Sequence, residues 1–170
     1  KSGVVSLLQG LYVRLFGIPE IGFQVRGMYF RQMLHALPGF EPARILDVGS
    51  GIGCYVFYLH DFFPGTRIVG WEIDKTKLAV SKKLIGQFHA SNVIFTYGDI
   101  VRRPVGKDRY DVVMTVDVLE HIQEYRRALK HMQALLAPGG YLYIHVPQST
   151  QQRFFPVFHA WEHEDHVREG

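Results

Sequence analysis

The stretch ILDVGSGIGCYVFYL, residues 45–59, decides the fold of this chain. It opens with an apolar run, Ile45 to Val48, that is typical of a buried strand in a parallel sheet. Three glycines follow at alternate positions, Gly49, Gly51 and Gly53, and a helix-like apolar segment comes after them. Strand, glycine loop and helix in this order bring backbone N–H groups close to a ligand, because glycine has no Cβ to block the approach. The stretch therefore predicts a nucleotide-type binding site.

The composition is that of a globular domain. A chain of 170 residues with 47% apolar and 21% charged residues can form one domain with a real core. Its net charge of +3 is too small to indicate a nucleic-acid partner. No apolar run reaches the roughly 18 to 20 residues of a membrane span. The single cysteine, Cys54, excludes an internal disulfide and favours a reducing compartment, so we expect a cytoplasmic protein.

From Arg44 onward, short apolar runs alternate with helical patterns. The runs predict strands over residues 44–48, 67–71, 92–97, 111–116 and 141–146. The patterns between them predict helices over residues 54–63, 75–89 and 123–136. Five strands separated by helices or connecting segments indicate an α/β fold, a Rossmann-like doubly wound sheet with at least five parallel strands.

The chain divides by composition into three parts. Residues 1–40 carry two helical patterns, over 4–16 and 24–37, and we expect these helices to cap the active site or to pack on a partner. Residues 41–147 form the Rossmann-like core. Residues 148–170 are rich in aromatic, His and Glu residues, and we expect them at the carboxyl ends of the strands as a truncated acceptor-side segment.

The glycine loop alone leaves two kinds of ligand open. In a dinucleotide site, an acidic residue about 20 residues after the loop binds a ribose, and Glu72 stands at about that distance from Gly53. Asp47 is more informative, because a carboxylate at the strand end is unfavourable beside a pyrophosphate. It suits the ammonium group of an amino-acid moiety, which it would contact directly or through water.

Five blocks of sequence resemble, in order, the motifs of class I S-adenosylmethionine-dependent methyltransferases. The block DVGSGIG after ARIL resembles motif I, and YDVVMTVDVLEHI resembles motif IV. Three further blocks of this chain resemble the family's second strand, its third-strand motif, and the turn and strand that close its sheet: VGWEID, YGDI and LLAPGGYLYIHVP. The blocks cover about residues 43–147. The resemblance implies strand order 3-2-1-4-5, S-adenosyl-L-methionine as cofactor and S-adenosyl-L-homocysteine (SAH) as product.

The same resemblance implies which residues bind the cofactor. Glu72 would hold the ribose hydroxyls, Asp99 would take the adenine amino group, and Ile100 would cover the ring. The backbone near Val116 and Asp117 would line the methionine part. The complete expected set is Asp47, Gly49, Ser50, Gly51, Gly53, Glu72, Ile73, Asp99, Ile100, Val116 and Asp117.

Candidates for the acceptor side come from two segments. Asp117, Glu120 and His121 are spaced i, i+3 and i+4, so they would share one face if a helix began there. Small-RNA 2′-O-methyltransferases and ubiquinone-pathway O-methyltransferases bind a divalent metal at a similar motif. Leu-Glu-His also occurs in metal-free members, so we predict no metal and place His121 in the pocket. HEDHVREG resembles a segment of bacterial small-molecule and cell-envelope methyltransferases, which implies His166 as base or substrate ligand.

The expected function is methyl transfer to an O or C nucleophile of a small, partly apolar molecule. Two alternatives remain open: a non-catalytic nucleoside-binding module and a nicotinamide-dependent oxidoreductase. A nucleic-acid acceptor is not expected, since the sequence has no basic stripe. The full class I fold ends in an antiparallel hairpin that is missing here. The chain is then a fragment, receives the missing edge from a partner, or is a minimal variant. Of these we expect a fragment, whose exposed apolar sheet edge favours self-association, for example as a homodimer.

Overall fold

The computed structural model of the protein describes residues 21–37, 41–102 and 106–146. The expected helix over residues 4–16 and the acceptor-side segment 148–170 lie outside these ranges. The chain forms two compact units, Lys1–Glu41 and Pro42–Gly170. In the first unit the structure describes one helix, α1 (Ile21–His35), which begins three residues earlier and ends two residues earlier than the sequence pattern predicts.

The second unit is a five-stranded parallel sheet with interspersed helices. All four strand pairs are parallel, and the strand order is β3-β2-β1-β4-β5, as expected. Among the described residues its elements are β1 (Arg44–Val48), α2 (Cys54–Phe62), β2 (Arg67–Glu72), α3 (Lys75–Gln87), β3 (Val93–Tyr97), β4 (Tyr110–Val116), α4 (Tyr125–Ala134) and β5 (Leu136–His145), with a 3₁₀ turn (Leu119–His121) before α4.

Burial follows the order of the strands in the sheet. The central strands β1 and β4 are buried along almost their whole length, and Ile45, Leu46 and Val113 are fully buried. The edge strand β3 alternates instead, so that Phe95 is buried while Ile94 is 41% exposed. Burial of this apolar surface is the main stabilising contribution to the fold. Because the strands are parallel, their carboxyl ends lie at the same edge of the sheet.

The segment between β4 and β5 departs from the expected pattern. A helix over residues 123–136 is predicted, but α4 spans only Tyr125–Ala134. β5 begins at Leu136, five residues before the predicted start of the strand. The pairing of β5 with β4 shifts register between Tyr110 and Val112, which pair with Leu136 and Tyr141. The residues between Leu136 and Tyr141 therefore form a bulge.

The described helices are short compared with the thickness of a lipid bilayer. In residues 21–37, 41–102 and 106–146, none has both the length and the apolar character needed to cross a membrane.

Candidate functional site

The glycine loop after β1 is attached to the end of β2 by backbone hydrogen bonds. The N–H groups of Gly49 and Ser50 both donate to the carbonyl of Trp71, at 2.8 and 2.9 Å. The N–H of Gly53 donates to the carbonyl of Ser50 at 2.9 Å and closes the turn into α2. Because these bonds involve only backbone atoms, they hold the loop at the carboxyl edge of the sheet whatever side chains surround it.

Glu72, the last residue of β2, fixes the middle of this loop. Its Oε2 accepts from the N–H of Gly51 at 2.7 Å, and its Oε1 accepts from the N–H of Asp74 at 2.7 Å. The side chain is 5% exposed. Each carboxylate oxygen has a second lone pair, so Glu72 can accept further hydrogen bonds from a ligand while it holds the loop.

Two glycines of the loop are required by close packing as well as by backbone conformation. Gly49 has φ +78°, and a Cβ there would lie 2.5 Å from Cγ2 of Val118, which follows β4. Gly53 has φ +97°, and a Cβ there would overlap the ring of Phe95 on β3. L-residues rarely adopt these φ values. The loop therefore packs against the segment that follows β4 and against a side chain of β3.

Asp47 is a buried carboxylate next to the loop. Its side chain is 2% exposed, and Oδ2 has no hydrogen-bond partner in the described parts of the chain. Burial, and secondly the negative charge of Glu72, raise the pKa of Asp47 to about 7. The neighbouring residue Ser50 is 8% exposed, and its hydroxyl likewise has no hydrogen-bond partner in the described parts of the chain. These unpartnered oxygens favour a ligand with a positive charge or hydrogen-bond donors.

The donors and acceptors of the loop discriminate between the two ligand classes. The N–H groups of Gly49, Ser50, Gly51 and Gly53 all donate within the protein, whereas a pyrophosphate needs such donors to face the ligand. Asp47 and Glu72 would also repel a phosphate. We call Asp47, residues 49–53 and Glu72 the glycine-loop site. Its chemistry fits a nucleoside that carries an ammonium group and does not fit a dinucleotide.

The other expected cofactor residues differ in the surface that they offer. Oδ1 of Asp99 accepts from the N–H groups of Val101 and Arg102 at 2.9 and 3.2 Å, which closes a local turn. Ile100 is only 6% exposed and packs in the core, so its side chain offers little surface to a ligand. Ile73, by contrast, is 55% exposed directly after Glu72.

Asp117 and His145 form a second polar site at the ends of β4 and β5. Asp117 has φ +53°, and its N–H donates to the His145 carbonyl at 3.0 Å. Oδ1 of Asp117 also lies 2.8 Å from Nδ1 of His145. An ionised carboxylate only accepts, so Nδ1 carries the proton in this hydrogen bond. We call these two residues the strand-end pair.

His145 lies in the block LLAPGGYLYIHVP, but the resemblance of that block assigns no role to it. The position could have been found only from the strand register, in which His145 pairs with Val116, the last residue of β4. Ile52 was likewise not expected in the site, although it is 43% exposed within the glycine loop. Ile52 lies within the motif DVGSGIG, but only the conformation of the loop shows that its side chain is exposed.

Asp117, Glu120 and His121 do not share a helical face, which corrects the expectation from their spacing. Residues 119–121 form a single 3₁₀ turn, and Asp117 lies before it in a left-handed conformation. Glu120 is 2% exposed, and neither of its carboxylate oxygens has a described hydrogen-bond partner, while His121 is exposed. A catalytic role of His121 stays a prediction. His166 lies outside the described residues.

In residues 21–37, 41–102 and 106–146, no three His, Cys, Asp or Glu side chains are grouped in a way that could hold a metal ion. The carboxylates of Asp117 and Glu120 lie in different surroundings, because Asp117 contacts His145 and Glu120 is buried.

Comparison with known proteins identifies one family. The family model described as "Methyltransferase domain" matches residues 24–168. An uncharacterized methyltransferase of Schizosaccharomyces pombe is 31% identical over 105 residues, which cover 58% of this chain and 38% of that protein. The demethylmenaquinone methyltransferase of Deinococcus radiodurans is 28% identical over 122 residues, which cover 71% of this chain and 50% of the relative. The chain thus matches half or less of the length of these curated relatives.

A solved structure shows the same fold. The N-terminal domain of EvdMO1, crystallised in the presence of SAH and D-fucose, superposes with a TM-score of 0.63 and is 25% identical. The match covers 75% of this chain and 52% of that one.

Proposed function

This chain belongs to the class I S-adenosylmethionine-dependent methyltransferases, and on that premise we propose that it transfers a methyl group to an O or C nucleophile of a small, partly apolar molecule. S-adenosylmethionine, when bound, supplies an electrophilic methyl carbon activated by its sulfonium group. The chain's own residues bind and orient the reactants and exclude water.

The observation that carries this proposal is the unpartnered, buried Oδ2 of Asp47. A carboxylate in this position is neutralised most favourably by a cation, and the amino-acid part of the cofactor ends in an ammonium group. The N–H groups of Gly49, Ser50, Gly51 and Gly53 already donate within the protein, which disfavours the nicotinamide dinucleotide of the alternative oxidoreductase.

The remaining cofactor contacts follow from the positions of the side chains. Glu72 is rigidly held and keeps free lone pairs, so it is suited to accept from ribose hydroxyls. Ile73 and Ile52 present exposed apolar surface beside the loop, which suits the faces of an adenine ring. The local turn uses Oδ1 of Asp99, and Oδ2 lies 3.8 Å from Nε of the exposed Arg102, so an adenine amino group would share Oδ2 with this arginine.

The nature of the acceptor is supported by the relatives. One of them is named for demethylmenaquinone, a small apolar molecule, and the EvdMO1 domain was crystallised with a sugar. These names favour a small-molecule acceptor for this chain. His121 and His166 remain the acceptor-side residues that the sequence proposes.

Calorimetry with the full chain tests the cofactor half of this proposal. We expect SAH to bind and NAD⁺ not to bind. Below pH 7, SAH binding should release a proton from Asp47, because the ammonium stabilises its ionised form. The binding enthalpy, measured in buffers with different ionisation enthalpies, gives the number of protons released. Methylthioadenosine, which lacks the amino-acid part, serves as the ligand control and should release none.

Two matched variants separate Asp47 from a general charge effect. Asp47→Asn should abolish the proton release and lower SAH affinity about tenfold, whereas Asp61→Asn, an exposed carboxylate on α2, should change neither. Binding of NAD⁺ in preference to SAH would contradict the proposal. Transfer of labelled methyl groups from S-adenosylmethionine to a metabolite extract then tests the activity, and failure to label any molecule would favour the non-catalytic module.

A further inference from the structure

We propose that His145 is the general base of the transfer and that Asp117 is the residue that positions it, so that the acceptor is an O–H or C–H acid. This inference rests on the methyltransferase function proposed above. It assigns a catalytic role to His145, a residue of the closing-strand block to which the family resemblance gives no role.

The first argument is the geometry of the strand-end pair. Oδ1 of Asp117 lies 2.8 Å from Nδ1 of His145, and the N–H of Asp117 donates to the His145 carbonyl at 3.0 Å. Two contacts between the same residues fix both the backbone and the imidazole ring. With Nδ1 protonated toward Asp117, the neutral ring presents Nε2 as an acceptor. An imidazole held in one tautomer by a carboxylate is the arrangement that a general base requires.

The second argument is the conformation of Asp117. Its φ of +53° is uncommon for a residue other than glycine, although Asp and Asn tolerate it better than other side chains. In this conformation the chain leaves β4 so that the carboxylate reaches β5, the neighbouring strand. Strained backbone of this kind is concentrated at functional sites.

The third argument is the location of the pair next to the cofactor half. Val118, the residue after Asp117, packs so closely on Gly49 that a Cβ on this glycine would lie 2.5 Å from Cγ2 of Val118. The strand-end pair is therefore one residue away from direct contact with the glycine-loop site. The side chains of His145 and Asp117 are 33% and 38% exposed, so a small acceptor can reach them.

The proposed step conserves atoms and charge. The lone pair of the acceptor atom forms the bond to the methyl carbon, while the carbon–sulfur bond breaks and its electron pair goes to sulfur. The proton of the acceptor moves to Nε2 of His145. The resulting imidazolium is stabilised by the Asp117 carboxylate through Nδ1, and it returns the proton to solvent after product release.

The tautomer of His145 provides a readout that does not depend on activity. In ¹⁵N-labelled full-length protein, the His145 ring signals are assigned by their loss in His145→Gln. We expect the Nδ1–H form in the wild type and a larger share of the Nε2–H form in Asp117→Asn, because an amide can donate to Nδ1. A wild-type ring that is predominantly Nε2–H would overturn the proposal.

Methylation of simple phenols of graded acidity, from nitrophenol to unsubstituted phenol, tests the base directly. His145→Gln should lower kcat about 100-fold or more with the least acidic phenol and less with nitrophenol, because an ionised phenol needs no base. In His145→Gly, added imidazole should restore part of the rate. SAH affinity should stay within about threefold in both variants.

The outcomes separate this inference from the proposed function. An equal rate loss for all phenols, no rescue by imidazole, or no methylated phenol at all, each with normal SAH binding, would overturn the base assignment alone. Failure of the wild-type chain to bind SAH would contradict the proposed function instead.

Discussion

The glycine-loop site and the strand-end pair lie at the same edge of one sheet but are built in opposite ways. At the glycine-loop site the carboxylates of Asp47 and Glu72 are 2% and 5% exposed, and the backbone donors are used within the protein. At the strand-end pair both side chains are about one-third exposed, and they contact each other at 2.8 Å. The first site is a rigid, desolvated cradle, and the second is an accessible polar pair.

This difference corresponds to two kinds of recognition. A cofactor shared by a whole family can be bound by a site that is fixed before the ligand arrives, since preorganisation lowers the cost of binding. An acceptor that varies between members needs a site that a different molecule can enter, so accessible side chains at the strand ends are suited to it. The predictions below test whether the two sites differ in this way.

The largest expected effect concerns the ionisation of Asp47. Because its pKa is raised to about 7 in the folded chain, the folded state binds the proton more tightly than the unfolded state does. The free energy of unfolding should therefore fall as the pH rises from about 4 to 7 and stay constant above that. The difference corresponds to at most about 4 kcal/mol. Urea unfolding across this range measures it, and Asp47→Asn should lack this component.

The second effect concerns the packing of the glycine loop. Gly53→Ala should lower the free energy of unfolding by about 3 kcal/mol, because the Cβ overlaps Phe95 and φ is +97°. Gly86→Ala, in α3 with no atom within 4 Å of the added Cβ, is the matched control. It should be stabilising by about 0.5 to 1 kcal/mol. Similar unfolding midpoints for the two variants would show that the loop is not rigid.

The third effect connects the two carboxylates of the glycine-loop site. Glu72→Gln removes a negative charge that raises the pKa of Asp47, so the pH at which stability stops falling should decrease by about one unit. Infrared spectra of the carboxyl group provide a second measurement. Glu124→Gln, on the exposed surface before α4, is the control and should leave the titration of Asp47 in place. An unchanged midpoint in Glu72→Gln would contradict the charge coupling.

The smallest effect is expected at the strand-end pair. Asp117→Asn and His145→Gln should each change the free energy of unfolding by less than about 1 kcal/mol, because the pair is partly solvated and Asn tolerates the φ of Asp117. A double-mutant cycle by urea unfolding measures the coupling. A loss above about 2 kcal/mol would show that the pair is mainly structural and would remove the contrast with the glycine-loop site.

Much of the fold could be predicted from the sequence, because the buried parallel strands are apolar runs between breakers. The prediction for β1 matches its observed bounds, Arg44–Val48, and the strand order is also confirmed. Helix ends were less accurate: α2 ends at Phe62 and α3 at Gln87, one and two residues before the predicted ends. The local pattern weakly determines the last turn of a helix.

The site was only partly predictable, and the reason lies in the segment after β4. The spacing of Asp117, Glu120 and His121 suits a helix, but the left-handed conformation of Asp117 and the 3₁₀ turn place these side chains in different surroundings. His145 was missed because its relation to Asp117 depends on strand register, which no spacing along the chain encodes. The proposed cofactor residues of the glycine loop, in contrast, are close in sequence.

The bulge in β5 has a mechanical consequence for His145. Between two successive pairings, β4 advances from Tyr110 to Val112 while β5 advances from Leu136 to Tyr141, and the extra residues include Gly139 at φ +77° with open space around it. Beyond Tyr141 the pairing is regular up to His145. A residue inserted or removed between Leu136 and Tyr141 would therefore change only the bulge, and the pairing of His145 with Val116 would stay in place.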